Sequence, residues 1–298
     1  MKYVLQLVRW SNLVIVFMVQ YLFAYCMIAP FQPIFSKNVF YAVALACVLT
    51  AASGNVINDY YDRDIDAINK PDKVYIGKHI SLKTALFLYF LCNVLAIVLA
   101  VYADYVQYSC CTTAFVVGSI VLLWLYSRYF KKSYLLGNIV VAFLSMAPML
   151  LLTVLEVQDF GKGVQYPFLL LFMFFSFWTS LIREMLKDCE DREGDLAAGA
   201  KTIPIVNGIA KTKVVVAALI VVMLGVLVAF GMTLYMLGNL ILVFYIVLLV
   251  VLFGVLLAQV MQSNSAADFH RVSSFTKVVM LVGMVLMPLM RCFGNFFY

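Results

Sequence analysis

Charge is what this chain has least of. Asp, Glu, Lys and Arg make up only 12% of its 298 residues, about half the ~25% of a soluble globular domain. With 65% hydrophobic residues and a mean hydropathy of +1.01, it cannot cover itself with polar surface, which excludes a water-soluble globule. Histidine is nearly missing as well: His79 and His270 fall in polar segments and read as ordinary surface residues. The seven cysteines form no CxxC pair and no Cys/His spacing of a zinc site. Most lie inside apolar runs, as small packing residues. Between Val214 and Gln262 there is no charged residue at all. That gap argues against an ion path, which needs ionisable groups at mid-depth on several helices.

What is present is apolar length. A hydrocarbon core of ~30 Å needs ~20 apolar residues per helix, and nine stretches qualify: roughly 10–30, 38–61, 81–103, 110–127, 134–155, 167–186, 213–236, 239–260 and 276–297. The first is long and followed by Pro30, which speaks against a cleaved signal. The expectation is an all-α polytopic membrane protein of about nine transmembrane helices. Of the 21 basic residues, all but Lys37, Lys162 and Arg291 fall on one side of this arrangement. The positive-inside rule makes that side cytoplasmic, with the N-terminus in and the C-terminus out. All of the 15 acidic residues except Asp104, Glu156 and Asp159 share it. The net charge of +6 therefore describes one rich cytoplasmic face, and no nucleic-acid partner is expected.

Two polar segments on that face repeat one pattern. The segment after the second stretch begins "NDYYDRDID", and the one after the sixth contains "DCEDREGD". At an offset of 129 residues, Asp59 aligns with Asp188, Asp62 with Asp191, Arg63 with Arg192 and Asp66 with Asp195. This reads as an internal duplication. One domain, 1–298, would hold a first helix (1–37), a first half (38–155) and a second half (156–298), two related four-helix halves around a central cavity. On a helix, positions i and i+4 share a face about 6 Å apart along the axis. Asn58, Asp62 and Asp66 then form one stripe and Asp191 and Asp195 another, with Asp59 and Asp188 one turn back. Pro71 is expected to end the first helix, and Gly194, Gly199 and Pro204 to end the second.

Facing carboxylates repel: at ~8 Å and an effective dielectric of ~20, each pair costs about 2 kcal/mol. Repeated stripes make sense if cations lie between them. An all-oxygen donor set without His or Cys favours Mg2+, which shares its shell with substrate phosphates. Arg63, Lys187 and Arg192 flank the aspartates and are candidates to grip phosphate oxygens, as are Tyr126, Lys131 and Lys132 of "WLYSRYFKKS". Asn138 reads as an interhelical hydrogen bond or cavity lining. Arg183 lies one to two turns before Asp191 at membrane depth, where an arginine is a functional suspect.

"NDYYDRDID" and "DREGD" resemble the N-x-x-x-D-x-x-x-D and D-x-x-x-D motifs of the UbiA superfamily of intramembrane prenyltransferases, in order, separation and placement. The resemblance covers nearly the whole chain. It implies nine helices around a cavity open to the membrane, and two motifs that bind an isoprenyl diphosphate through Mg2+. Carried over, Asn58, Asp62, Asp66, Asp188, Asp191 and Asp195 would be metal ligands, Asp62, Asp66, Asp191 and Asp195 the catalytic set, and Asp59 a support. The "RWSN" at Arg9–Asn12 is similar to the family's R-P-x-N, which makes Arg9 and Asn12, with Arg183, candidates for the acceptor. Phe174, Phe175 and Phe177 are candidates to line the tail channel. The implied reaction is prenyl transfer through an allylic cation to a lipophilic acceptor, in a plasma or inner membrane.

Within the superfamily the sequence is most similar to archaeal-type geranylgeranylglycerol-phosphate geranylgeranyltransferases. The segment Lys73–Ser81, "KVYIGKHIS", departs from that group's R-P-x-P-S-G-x-I-S and keeps only Gly77, Ile80 and Ser81. An aromatic (quinone or chlorophyll-type) acceptor is the alternative reading, and a cation transporter the alternative from another class. A CDP-alcohol phosphotransferase requires D-x-x-D-G-x-x-A-R, which neither segment contains.

Overall fold

The computed structural model describes residues 2–31, 36–156 and 166–294, and among them every regular element is helical. A short α1 (Lys2–Leu7) precedes α2 (Trp10–Leu22), which a π-turn prolongs through Phe23–Ile28. Then follow α3 (Lys37–Asn69), α4 (Leu82–Gln107), α5 (Cys111–Arg128), α6 (Leu136–Glu156) and α7 (Tyr166–Glu190). Two short helices, α8 (Arg192–Ala197) and α9 (Ile203–Val206), lead into α10 (Gly208–Met236), α11 (Leu240–Gln262) and α12 (Ala266–Phe293). Among the described residues, nine helices are long and apolar enough to cross a membrane: α2 with its π-turn, α3 to α7, and α10 to α12. Asp159, Lys162 and the last residues of the ninth run lie outside the described residues.

The two helices that carry the aspartate motifs are the most enclosed, and their sequences explain why. The α3 run "AVALACVLTAASG" is mostly small residues, which let backbones approach where lipid offers no hydrophobic drive. Ala46 of α3 packs against Ala96 and Ala100 of α4 and Val116 of α5. On α7, Phe168, Leu169, Phe172 and Met173 are buried in the main core. The outer helices instead turn bulk outward: Phe87, Phe90, Val94 and Val98 of α4, and Val214, Val221 and Val228 of α10, are exposed. Those stripes are the lipid-facing surface expected of an integral membrane protein.

Helix α3 has 33 residues, about 50 Å at 1.5 Å each, well beyond a ~30 Å hydrocarbon core. The expected boundary near residue 61 is therefore a membrane boundary only. The helix continues through the whole motif to Asn69, and Pro71 stops it as expected. The second motif is built differently. Helix α7 ends at Glu190, Asp191 breaks it, and α8 restarts at Arg192. Gly194 lies inside α8 rather than ending a helix; the terminator is Gly199, at φ +70°.

Candidate active site

The end of α3 docks on the break between α7 and α8. Asn69 accepts a hydrogen bond from the Gly194 amide (2.8 Å) and donates to the Asp191 carbonyl (2.9 Å). This contact explains Gly194: a Cβ there would lie 2.5 to 2.6 Å from the Asn69 amide group. The Asp195 amide donates to the Asp191 carbonyl at 3.1 Å, so the i, i+4 spacing of the second stripe survives the helix break. The amide of one helix end thus fixes the register of the other motif.

Two lysines stand where the two stripes meet. The Lys131 ammonium pairs with Asp62, which is almost fully buried and also accepts from Asn58 Nδ2 at 2.6 Å. Lys70 Nζ straddles Asp191, 2.6 and 2.7 Å from its two carboxylate oxygens, and lies 3.4 Å from Glu190 Oε1. Burial is the largest single influence and pulls both lysines down, but their acidic neighbours together outweigh it, Asp62 and Asp66 for Lys131 and Asp191, Glu190 and Asp66 for Lys70, and both titrate above an ordinary lysine. Asp195 is buried, and burial pushes its carboxyl up to about 6 against the opposing pull of Lys131; Asp191 and Asp62 add to the rise. A carboxylate of the second motif therefore senses one of the first. Asp66 is half-buried, and Asp188 accepts from Asn138 Nδ2 at 2.8 Å, which gives Asn138 its interhelical bond.

The remaining candidates separate into those turned toward this cluster and those turned away. Tyr126 is half-buried, within electrostatic reach of Glu184, Lys131 and Asp62. Arg63 instead pairs with exposed Asp64 at 3.0 Å, because position 63 lies off the Asn58/Asp62/Asp66 face. Lys132 is exposed and reaches the Ala198 carbonyl at 3.5 Å, and Arg192 is exposed on α8. Lys187 binds Glu184 Oε1 at 2.7 Å, on the oxygen that Arg183 Nη1 also reaches at 3.1 Å. Arg9 has a left-handed backbone, φ 55° and ψ 53°, a conformation that costs a non-glycine residue about 1–2 kcal/mol. It aims the guanidinium at Asp59, 2.7 Å away, so its charge is neutralised within the protein. Asn12 accepts from Lys277 Nζ at 2.6 Å.

Both histidines are exposed, as expected, and each also makes a specific contact. His79 stacks on Tyr3, with centroids 3.9 Å apart, and holds the segment after Pro71 against α1. His270 Nδ1 lies 2.8 Å from Glu190 Oε1 and ties α12 to the end of α7. Sequence reasoning left Asn69, Lys70, Glu184, Glu190 and Lys277 unassigned. Of these, Lys70 had a signal: it continues the stripe of Asp62 and Asp66 at the next i+4 position.

On the membrane side of the cluster lies a cavity of about 290 Å³, walled by α2, α3, α5, α6, α7 and α12. Its α7 wall is Phe172, Phe175, Ser176, Thr179, Ser180 and Arg183, one helical face at i, i+3, i+4 spacing. Of the three phenylalanines expected there, only Phe175 faces in. Phe174 lies off that face and stacks on Trp178 at 4.9 Å, and Phe177 also falls outside it. Gly283 of α12 makes room for the Phe175 ring, which a Cβ would meet at 2.3 Å.

The donor chemistry suits a hard divalent cation, since the motif side chains offer carboxylate and amide oxygens only. Among the described residues, however, no three His, Cys, Asp or Glu side chains close on one ion. The neutralising positions on Asp62 and Asp191 are taken by Lys131 and Lys70. Metal binding in this arrangement requires those ammonium groups to swing off the carboxylates, and both have flexible stems to do so.

The model of the UbiA prenyltransferase family matches residues 17–279. A digeranylgeranylglyceryl phosphate synthase from Methanobrevibacter smithii is 33% identical over 178 residues, 60% of this chain and 62% of that protein. The match thus spans about three fifths of that curated relative's length. A solved structure of digeranylgeranylglyceryl phosphate synthase superposes with a TM-score of 0.68 at 24% identity, covering 97% of this chain and 98% of that one. A UbiA homologue from Archaeoglobus fulgidus, solved with GPP and Mg2+, superposes with a TM-score of 0.63 at 14% identity, covering 96% and 99%. Both are likenesses of fold.

Proposed function

Because the chain belongs to the UbiA prenyltransferase family, we propose that it moves a prenyl group from an isoprenyl diphosphate to a lipophilic acceptor within the bilayer, with geranylgeranylglyceryl phosphate as the favoured acceptor. The observation that carries this reading is the meeting of two aspartate motifs at the ends of α3 and α7, the same two helices that wall the apolar cavity. Asn58, Asp62 and Asp66 on one side and Asp188, Asp191 and Asp195 on the other would hold Mg2+. Bound there with the diphosphate, the ion would neutralise the charge that grows on the leaving group as the allylic C–O bond breaks.

The chain's own residues do the rest. Once released from Asp62 and Asp191, Lys131 and Lys70 supply ammonium donors to diphosphate oxygens. Tyr126, within electrostatic reach of Lys131 and Asp62, would donate its hydroxyl to the same group. The walls of Phe115, Phe172, Phe175 and Met280 take the prenyl tail and keep water from an allylic cation, which would otherwise be hydrolysed. The acceptor oxygen or carbon attacks that cation and then gives up its proton. Each half, 38–155 and 156–298, contributes one motif, as a duplicated ancestor would. The excess of basic residues in the loops on the motif side favours a cytoplasmic location for the motifs, in a plasma or inner membrane, with the N-terminus in and the C-terminus out.

The test supplies labelled geranylgeranyl and farnesyl diphosphate to purified full-length protein with Mg2+ and a panel of acceptors. Product forms in the wild type and is abolished by EDTA, by Asp62→Ala and by Asp191→Ala. Full turnover in both variants overturns the assignment.

A further inference from the structure

We propose that Lys277 of α12, together with the free edge of Arg183, forms an anion subsite in the cavity wall that takes the phosphate monoester head of the acceptor. This rests on the prenyl-transfer reading of the same cavity and names the class of acceptor it selects.

Three cations crowd this part of the site. Arg183 and Lys187 share the single carboxylate of Glu184, at 3.1 and 2.7 Å. Lys277 has a neutral partner, the Asn12 side-chain oxygen at 2.6 Å, and among the described residues no carboxylate lies within 4.0 Å of it. The local balance is therefore two positive charges without a counterion. Ionisable groups at membrane depth are costly and are kept where they pair or function. Arg183 adds a second sign: its Nε is buried and has no hydrogen-bond partner. An unpaired buried donor costs as much as a lost hydrogen bond. Both groups line the same cavity, and Lys277 spends one of three ammonium protons on Asn12.

A group with charge near −2 and several acceptor oxygens satisfies all of this at once, and a phosphate monoester is such a group. The donor's diphosphate does not fill the role. It belongs with the aspartate motifs, and Arg183 lies eight residues before Asp191, about 12 Å along the helix axis. Two anionic heads can thus sit at once, with the donor's reactive carbon between them. Lipid-headgroup anchoring does not explain Lys277 either, since its neighbours Met280 and Met284 also face the cavity rather than the lipid.

The test measures equilibrium binding of radiolabelled hexadecylglycerol phosphate, and of hexadecylglycerol, to full-length protein in nanodiscs of a neutral lipid, without any prenyl donor. Wild type binds the phosphate form more tightly. Lys277→Gln weakens that form by about 10- to 100-fold, the range for a charge-assisted hydrogen bond, and leaves the alcohol unchanged. Lys277→Arg restores most of it, and thermal unfolding checks that each variant folds. Inorganic phosphate competes only at far higher concentration. Equal binding of both lipids by wild type, unchanged binding in Lys277→Gln, or equally tight binding of inorganic phosphate overturns the subsite. Because no donor is present, these outcomes are read independently of turnover. An intact subsite in a protein that makes no product instead refutes prenyl transfer.

Discussion

Gly194→Ala is the sharpest perturbation this structure offers, because it alters no functional group. The added methyl would sit 2.5 Å from Asn69 Nδ2 and 2.6 Å from Oδ1, so the Asn69 amide must leave. Its two bonds, to the Gly194 amide and the Asp191 carbonyl, go with it. At a net ~1 kcal/mol per neutral hydrogen bond, the loss is about 2 kcal/mol, roughly 30-fold in the equilibrium that holds the two motifs together. Displacement of the second motif by even ~1 Å can cost about 100-fold in rate. The assay is prenyl transfer across a Mg2+ titration, with thermal unfolding in parallel. Gly194→Ala raises the Mg2+ requirement and lowers kcat, while Asn69→Ala alone loses the same bonds and falls by a similar amount. The double variant carries the decisive result. With no amide to collide with, Gly194→Ala adds almost nothing in the Asn69→Ala background. If it costs as much there as in the wild type, the clash is not the mechanism and the docking of α3 on α8 does not organise the site.

Other expectations follow from the same geometry. The Asp195 carboxyl lies near 6 in the metal-free protein, against an ordinary value of 3.8, chiefly through burial. Its raised value stabilises the fold below about pH 4, and that contribution is lost as pH rises through 6. Mg2+ needs the deprotonated form, so its affinity falls as pH drops below 6; calorimetric titrations at pH 5, 6 and 7 check both signs. Gly283→Ala drives the Phe175 ring from its place into the cavity, and competition between donors shows a shift from geranylgeranyl toward farnesyl or geranyl diphosphate. Arg63→Ala and Lys132→Ala remove exposed side chains turned from the cluster, and kcat/KM stays within about twofold, as for ordinary surface changes. Lys131→Ala strips the partner from buried Asp62, and the KM for donor rises at least about tenfold in the same assay, consistent with a lost charged contact.

Much of this was legible in the residues, for reasons that are local. Apolar run lengths gave nine helices because a bilayer fixes helix length. The i, i+4 stripe of Asn58, Asp62 and Asp66 was readable because α3 stays regular through it. The second stripe was readable for its spacing but not for its break at Asp191, where Asn69 docks from 122 residues away. Charge-based reasoning asked for cations between the stripes and assigned metal ions. The protein itself supplies two, and no local rule told Lys131, which turns in, from Lys132, which turns out. Arg9 was legible as a candidate, but not its pairing with Asp59, since that depends on a left-handed residue at the start of α2. Lys277 was counted with the basic residues of the cytoplasmic face. Only packing α12 against α2 and α7 reveals it as a cavity residue.

The central claim is that both motifs act on one ligand through shared divalent ions. The direct measurement is the affinity for a non-hydrolysable isoprenyl diphosphate analogue, with and without Mg2+, in wild type, Asp62→Ala, Asp191→Ala and the double variant. Either single substitution should abolish nearly all of the Mg2+-dependent affinity, with the double no worse. Independent, additive losses, or a Mg2+ response that survives in one single variant, would mean two separate sites.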